Sequence, residues 1–300
     1  MNWLFNMLNH NPQGQRSLED VIGIIGHQLR ELGHTAVWDK KNDQFLARDT
    51  GINIIVEGFT PPVIEIMAGA HARGCRFVIL ATEEPTEKGF NHGVDPEMIM
   101  RQRMFPEAAR YCEGIIHLVP GKRVTDWYGQ FAPAAYTELG FARTLVRLSP
   151  QEPVYDFGFF GSVSRRRMGI LNKLAKRSGR KDAVRYIGDF PDQETRDRQI
   201  REARVVVQLR KVEAMGLVSS SRCNTALCVG RPVIAEPHEL SAPWDQIVSF
   251  ASSTDHFYNL AVMARMNWQS LWYDQFKRFR EMLPADACIG KALRDIGVMR

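Results

Sequence analysis

The sequence carries little with which to cross-link, chelate or span a membrane. Its five cysteines, Cys75, Cys112, Cys223, Cys228 and Cys288, are odd in number and form no CxxC pair. That argues against a disulfide framework or a cysteine zinc site and for buried thiols in a reducing compartment. No apolar run approaches the roughly 20 residues a bilayer requires. The opening MNWLFNMLNHNP has no basic flank and too short an apolar stretch for a secretory leader, so the expected location is cytoplasmic. There is no Walker A sequence. The first apolar run leads into NHNPQGQ rather than GxGxxG, which argues against a dinucleotide dehydrogenase. HARGC (71–75) and NHGVD (91–95) offer two metal ligands each, too few for a site. Short-period repeats and low-complexity tracts are also missing.

What is present is a globular composition, 44% hydrophobic and 24% charged, with a net charge of +5 in which arginine far outnumbers lysine. Three hundred residues fit two domains of about 150 each. The mild positive charge suits an anionic ligand, a nucleic acid or a membrane surface.

Short apolar runs alternate with amphipathic stretches. Strands are expected at 3–8, 35–38, 52–59, 75–82 and 114–119. Ser17 reads as an N-cap for a helix stopped by Gly33, Pro61-Pro62 opens a second helix, and 95–112 forms a third. From Pro120 to Pro153 the pattern loosens, and LSPQEP (148–153) reads as an interdomain linker. The rhythm then restarts, with strands at 156–161, 184–188, 204–209, 231–236 and 247–252. Helices are expected at 164–177, 193–203, 217–229, 254–266, 268–283 and 286–297. This is the signature of two α/β domains with parallel sheets: residues 1–150, residues 151–266, and terminal helices 267–300 packing across both. Trp268, Trp272, Tyr273, Phe276 and Phe279 form an aromatic stripe expected to be buried between the domains. A membrane-surface contact through Trp268, Lys277, Arg278 and Arg280 is the alternative.

GSVSRRR (161–167) lies where a strand becomes a helix. In a parallel sheet, ligands bind beyond the carboxyl ends of the strands, and a helix starting there offers unpaired N–H groups and a positive dipole end. Gly161 allows close backbone approach, Ser162 supplies a hydroxyl, and Arg165 and Arg166 supply forked donors that match phosphate oxygens. Arg167 is left as a surface or packing residue. The plain alternative is an ordinary turn with solvated arginines. Arg210 and Lys211 follow the next inner strand, and Arg222 lies in the small, apolar segment SSSRCNTALCVG, where a buried guanidinium needs an anionic partner. That partner is a ligand, or else Glu236 or Glu213.

Four segments, ATEEP (81–85), ELGF (138–141), DFGFFGSVSRRRMGIL (156–171) and 203–236, resemble in order and spacing the GT-B glycosyltransferases, most of all the CgeB-like, glycosyltransferase family 1-like proteins of bacteria and phages. The resemblance implies two Rossmann-like domains facing across a cleft, with C-terminal helices crossing back to the first. It implies a metal-independent enzyme that needs no cofactor and takes a UDP-, GDP-, ADP- or dTDP-sugar as donor. The donor would be held by Gly161, Ser162, Arg165, Arg166, Arg210, Glu213, Arg222 and Glu236. A base from the first domain would activate the acceptor, with Glu83, Glu84 and His10 as the main candidates and His92 and Glu57 behind them. The acceptor, whether polysaccharide, protein or a hydroxylated DNA base, is not specified. Thr225 and Ser219 stand where the family often has glutamates, so retention against inversion stays open. Rival readings are a catalytically silent binding or assembly protein of the same fold, and a nucleotide-sugar epimerase.

Overall fold

Ile52–Val56, Arg76–Ala81 and Gly114–His117 are almost wholly buried along their length. Strands with no polar face fit only a sheet covered on both sides, the usual condition of parallel sheets. The computed structural model describes residues 3–9, 15–38, 46–56, 59–93, 96–180, 182–188, 192–210, 218–238 and 243–299. The chain forms two units, Met1–Ala142 with Leu283–Arg300, and Arg143–Met282.

The first unit runs β1 (Leu4–Asn9), α1 (Gln15–Glu31), β2 (Thr35–Trp38), β3 (Ile52–Val56), α2 (Pro61–Ala72), β4 (Arg76–Ala81), α3 (Pro96–Ala109), β5 (Gly114–His117), α4 (Lys122–Tyr128) and β6 (Ala134–Tyr136). Its strands pair in parallel in the order β2-β1-β3-β4-β5-β6. Helix α1 begins at Gln15, so Ser17 lies inside its first turn rather than capping it. The loose stretch after Pro120 contains α4 and β6, elements of seven and three residues that are too short to show a period.

ELGF has a packing role in this unit. A Cβ at Gly140 would lie 2.5 Å from the Leu283 carbonyl oxygen and 2.6 Å from Cys288 Sγ, so only glycine lets the two segments meet there. Phe141 N–H donates to that same carbonyl at 2.7 Å. The C-terminal segment, a π turn at Asp286–Gly290 and then α11 (Lys291–Asp295), thereby belongs to the first unit.

The second unit runs β7 (Tyr155–Phe160), α5 (Arg165–Ser178), β8 (Val184–Ile187), α6 (Gln193–Arg201), β9 (Ala203–Gln208), α7 (Ser220–Cys228), β10 (Val233–Ala235), α8 (Trp244–Ile247), β11 (Ser249–Phe250), α9 (Thr254–Ala264) and α10 (Trp268–Met282). The parallel order is β11-β10-β9-β7-β8. In both units the first strand has its successors on either side, so strand order reverses beside β1 and beside β7. Such a switch point opens a crevice at the carboxyl ends of the strands.

Helix α10 packs inside the second unit. Gln275, fully buried, accepts from Val233 N–H at 2.8 Å and donates to Val233 carbonyl oxygen at 3.0 Å, so its amide pairs with β10 as another strand would. Phe279 stacks on Trp244, and Trp272 Nε1 donates to the Leu227 carbonyl at 2.9 Å. Tyr273 departs from the expected stripe and is 63% exposed. Among the described residues no helix is long and apolar enough to cross a membrane.

His117 ends β5 with no solvent exposure. One ring nitrogen, Nδ1, lies 2.8 Å from the Val119 carbonyl and the other, Nε2, 3.0 Å from Thr125 Oγ1, while the ring stacks on Tyr128. The carbonyl can only accept, so Nδ1 bears the hydrogen and Nε2 accepts from the threonine hydroxyl. Burial pushes its pKa from 6.5 down to about 4. A depressed histidine pKa stabilises the fold fully above the unfolded value, and that contribution is lost as pH falls from 6.5 toward 4. The expected loss by pH 5 is about 2 kcal/mol. Urea unfolding at pH 7.5 and pH 5 checks this, with H117Q losing about 2 kcal/mol less than the wild type over the same interval.

Candidate functional site

The switch point of the second sheet places the turn after β7 beside the turn after β9, with the end of β10 on the far side of β9. At the first turn Gly161 adopts φ 138°, a conformation that side chains rarely take. A Cβ there would stand 3.1 Å from Arg222 Nη1. Its carbonyl accepts from the Tyr186 hydroxyl at 2.9 Å. Ser164 then caps α5, its side chain accepting from Arg167 N–H at 3.2 Å.

The three arginines that open α5 divide the work. Arg165 is exposed. Arg166 is half-buried and grips Glu236 with both ends of its fork, Nη1 to Oε1 at 2.9 Å and Nη2 to Oε2 at 2.5 Å. Arg167, only 4% exposed, turns inward. It donates to the carbonyls of Ser162 (2.7 Å), Leu209 (2.8 Å) and Arg210 (3.2 Å), and its guanidinium covers the Phe159 ring. It is thus the packing residue of the three, and it ties the turn after β7 to the turn after β9. Burial lowers its pKa, while the charge of Glu236 opposes that shift.

Glu236, 3% exposed, also accepts from the backbone N–H of Arg210. Its guanidinium partners are therefore Arg166 and, at 3.9 Å, Arg210, and not Arg222. Arg222 sits under Gly161, over the Phe159 ring, with Nη1 3.5 Å from the Phe160 carbonyl. Among the described residues no carboxylate lies within ion-pair reach of it. Burial, reinforced by the charge of Arg167, pulls its pKa down to about 10, which still leaves it a cation at neutral pH. An anion arriving at Gly161 would relieve that strain.

Sequence reasoning missed His238. It lies two residues beyond Glu236, with Nδ1 2.6 Å from the Glu236 carbonyl and its ring edge-on to Phe250. Burial lowers its pKa, and its buried Nε2 has no hydrogen-bond partner among the described residues. The only signal was its place just past a strand end. Glu213 and Lys211 lie outside the described residues.

The base candidates belong to the first unit, at the carboxyl end of β4. Glu83 is 5% exposed, with Oε1 accepting from Arg101 Nη1 at 2.8 Å. Glu84 is partly exposed and pairs with Arg123, and His92 Nε2 lies 3.9 Å from its Oε2. Asn91 and His92 both have positive φ, 51° and 67°. Asn91 holds this turn by donating its N–H to the Glu84 carbonyl at 2.7 Å and accepting from Glu84 N–H at 3.0 Å. His10 and Glu57 lie outside the described residues. Among the described residues no three histidines, cysteines or carboxylates converge as a metal site would need.

No protein-family model matches the chain, and no curated protein matches it in sequence. Solved structures do match it in fold. An α-glucosyltransferase in complex with UDP and a mismatched 13-mer DNA aligns over 99% of both chains, with a TM-score of 0.60 and 9% identity. Anabaena HepE in complex with UDP and glucose aligns over 100% of both chains (TM-score 0.58, 10% identity). A UDP-forming trehalose-phosphate synthase from Burkholderia xenovorans aligns over 96% of this chain and 80% of its own (TM-score 0.51, 9% identity). The chain has the GT-B fold of glycosyltransferases.

Arg167 gives the arrangement a direct test. R167M keeps the bulk but leaves the carbonyls of Ser162 and Leu209 without their donor. The expected cost is about 2–4 kcal/mol, from buried acceptors deprived of a charged partner. Urea unfolding measures it.

Proposed function

We propose that this chain transfers a glycosyl group from a nucleoside-diphosphate sugar, held by the second unit, to an acceptor bound by the first. The observation that carries this reading is Arg222, a guanidinium without a carboxylate partner among the described residues. It lies beneath a positive-φ glycine at the switch point of a parallel sheet. That is where a diphosphate would meet backbone N–H groups, a helix N-terminus and fixed positive charge together. The fold-level likeness to structures that contain UDP supports the same reading.

In this mechanism the leaving diphosphate gains negative charge as the glycosidic bond to its oxygen breaks. Arg222, Arg165 and the first-turn N–H groups of α5 stabilise that charge, and they are oriented before reaction begins. Side chains thus supply the positive charge, and the reaction is read as metal-independent. Glu236 accepts from the ribose hydroxyls. On the acceptor side we assign proton removal to Glu84 rather than Glu83, because Glu83 is already enclosed against Arg101 and has little access to solvent. Neutral acceptor hydroxyls of a polysaccharide, a protein or a modified DNA base all satisfy this chemistry.

Thermal-shift titration with UDP, GDP, ADP and dTDP tests the proposal. At least one should raise the melting temperature, since a ligand at 100 times its Kd stabilises by about 2.7 kcal/mol. The matching nucleotide sugar should then release free sugar slowly, at a rate unchanged by EDTA. R222M should weaken the nucleotide at least tenfold, as loss of a charge-assisted hydrogen bond does. A chain stabilised by none of the four nucleotides overturns the proposal. Binding without turnover identifies instead a silent binding protein of the same fold.

A further inference from the structure

The pairing of Arg166 with Glu236 places two opposed demands on one spot. Arg166 stands in the first turn of α5, where a diphosphate would lie, yet its fork is spent on a carboxylate. Glu236 stands where ribose hydroxyls would arrive, yet both its oxygens are already taken, by Arg166 and by the Arg210 amide. The side chain of Glu236 is 4% exposed and that of Arg166 is 22% exposed, so the arginine covers the carboxylate. Any ligand that reaches Glu236 must first move Arg166.

We infer that this ion pair is a specificity filter that admits nucleoside diphosphates and rejects phosphate groups carried without a nucleoside. The inference rests on the nucleotide reading given above. An inorganic polyphosphate can draw Arg166 toward itself only by leaving the buried Glu236 to the more distant guanidinium of Arg210, 3.9 Å away, a state that costs part of what the new contact gains. A nucleoside diphosphate brings both halves of an exchange. Its phosphates take the Arg166 fork, and its ribose diol offers two O–H donors to the lone pairs that Arg166 gives up on the two carboxylate oxygens, Oε1 keeping the Arg210 amide as well. The carboxylate is then hydrogen-bonded before and after binding, and the Arg210 carbonyl, which gives up Arg166 at 3.1 Å, keeps its bond from Arg167 at 3.2 Å. Arg167 keeps the surrounding backbone fixed during the exchange, because its bonds to Ser162, Leu209 and Arg210 do not involve Glu236. Discrimination thus arises from a penalty on the wrong ligand as well as from contacts to the right one.

Calorimetric titration of the full chain with inorganic pyrophosphate, and with whichever of UDP, GDP, ADP or dTDP stabilises it most, tests the filter. In the wild type the nucleotide should bind at least tenfold tighter than pyrophosphate. E236Q removes the competing charge and one strong acceptor. It should tighten pyrophosphate about tenfold and weaken the nucleotide about tenfold, the scale of one charge-assisted hydrogen bond, so that the preference collapses. R166M removes the shared cation and should weaken pyrophosphate by more than it weakens the nucleotide, since Glu236 then stands open to the ribose.

Equal weakening of both ligands by E236Q overturns the filter and makes Glu236 a prop for the turn. So does a wild type that binds pyrophosphate as tightly as the nucleotide. Should E236Q lose its cooperative unfolding, R166M decides, and an equal loss for both ligands counts against the filter. A wild type that binds none of the nucleotides overturns the parent reading instead, a result distinct from an unchanged preference.

Discussion

A carboxylate almost without solvent contact organises the crevice of the second unit. Glu236 is covered by Arg166 and receives the Arg210 amide, so it fixes the positions of α5, the end of β9 and the end of β10 relative to one another. A buried ion pair of this kind contributes little net stability, because desolvation offsets most of the attraction. What it provides is geometry: removing either partner leaves an uncompensated charge, so the turns remain where the pair puts them. Arg167 adds a second tie between the same two turns through carbonyl oxygens alone. The first tie is open to exchange with a ligand, and the second is not.

The arginine excess of the chain has a local meaning once its partners are traced. At the amino end of the second sheet, Asp156 receives Arg265 at 2.8 Å, with Arg204 and Arg180 at 3.5 and 3.7 Å. Asp197 there receives Arg196 and Arg147, and Glu202 receives Arg185. Acids are supplied where no ligand is expected. At the carboxyl end, Arg165, Arg166, Arg167, Arg210 and Arg222 share one described carboxylate, Glu236. A drift toward arginine in composition would not separate the two ends of one sheet in this way. The imbalance falls at the switch point, where the field of the strand-to-helix turn is also positive.

Much of this was legible beforehand. Long apolar runs such as CRFVILAT and DFGFFG identified inner strands because a doubly covered strand cannot alternate. GSVSRRR marked the crevice because a glycine, small polar residues and a helix start fell together. The missed elements, α4, β6 and α8, are three to seven residues long, and a period cannot be read over one turn or three residues. Side-chain direction was the harder part. Three adjacent arginines on a helix point about 100° apart, but the sequence does not say which one faces inward. That one is Arg167, and its neighbour Arg166 holds Glu236. His238 was invisible for a related reason: besides the nearby Glu236 carbonyl, its setting is made by residues brought close by the fold, Phe250 among them.

The first unit shows the same division between fixed and available charge at the end of β4. Glu83 and Glu84 are adjacent at a bend just past β4, and their side chains turn to different partners. Glu83 turns inward to Arg101, which Glu97 also engages, and the hydroxyl of Tyr128 binds its carbonyl at 2.8 Å. Glu84 turns outward toward Arg123 and His92. Two successive residues of positive φ cost on the order of 1–3 kcal/mol each, and such conformations persist only where surrounding bonds over-determine them. Here those bonds run between Asn91 and the backbone of Glu84 itself. The strain therefore fixes Glu84 and His92 against each other at the rim of the sheet, while the buried pair beneath them holds the strand end still. Of the two carboxylates only Glu84 joins a fixed position to an accessible tip, which is the ground on which proton removal was proposed for it rather than for Glu83.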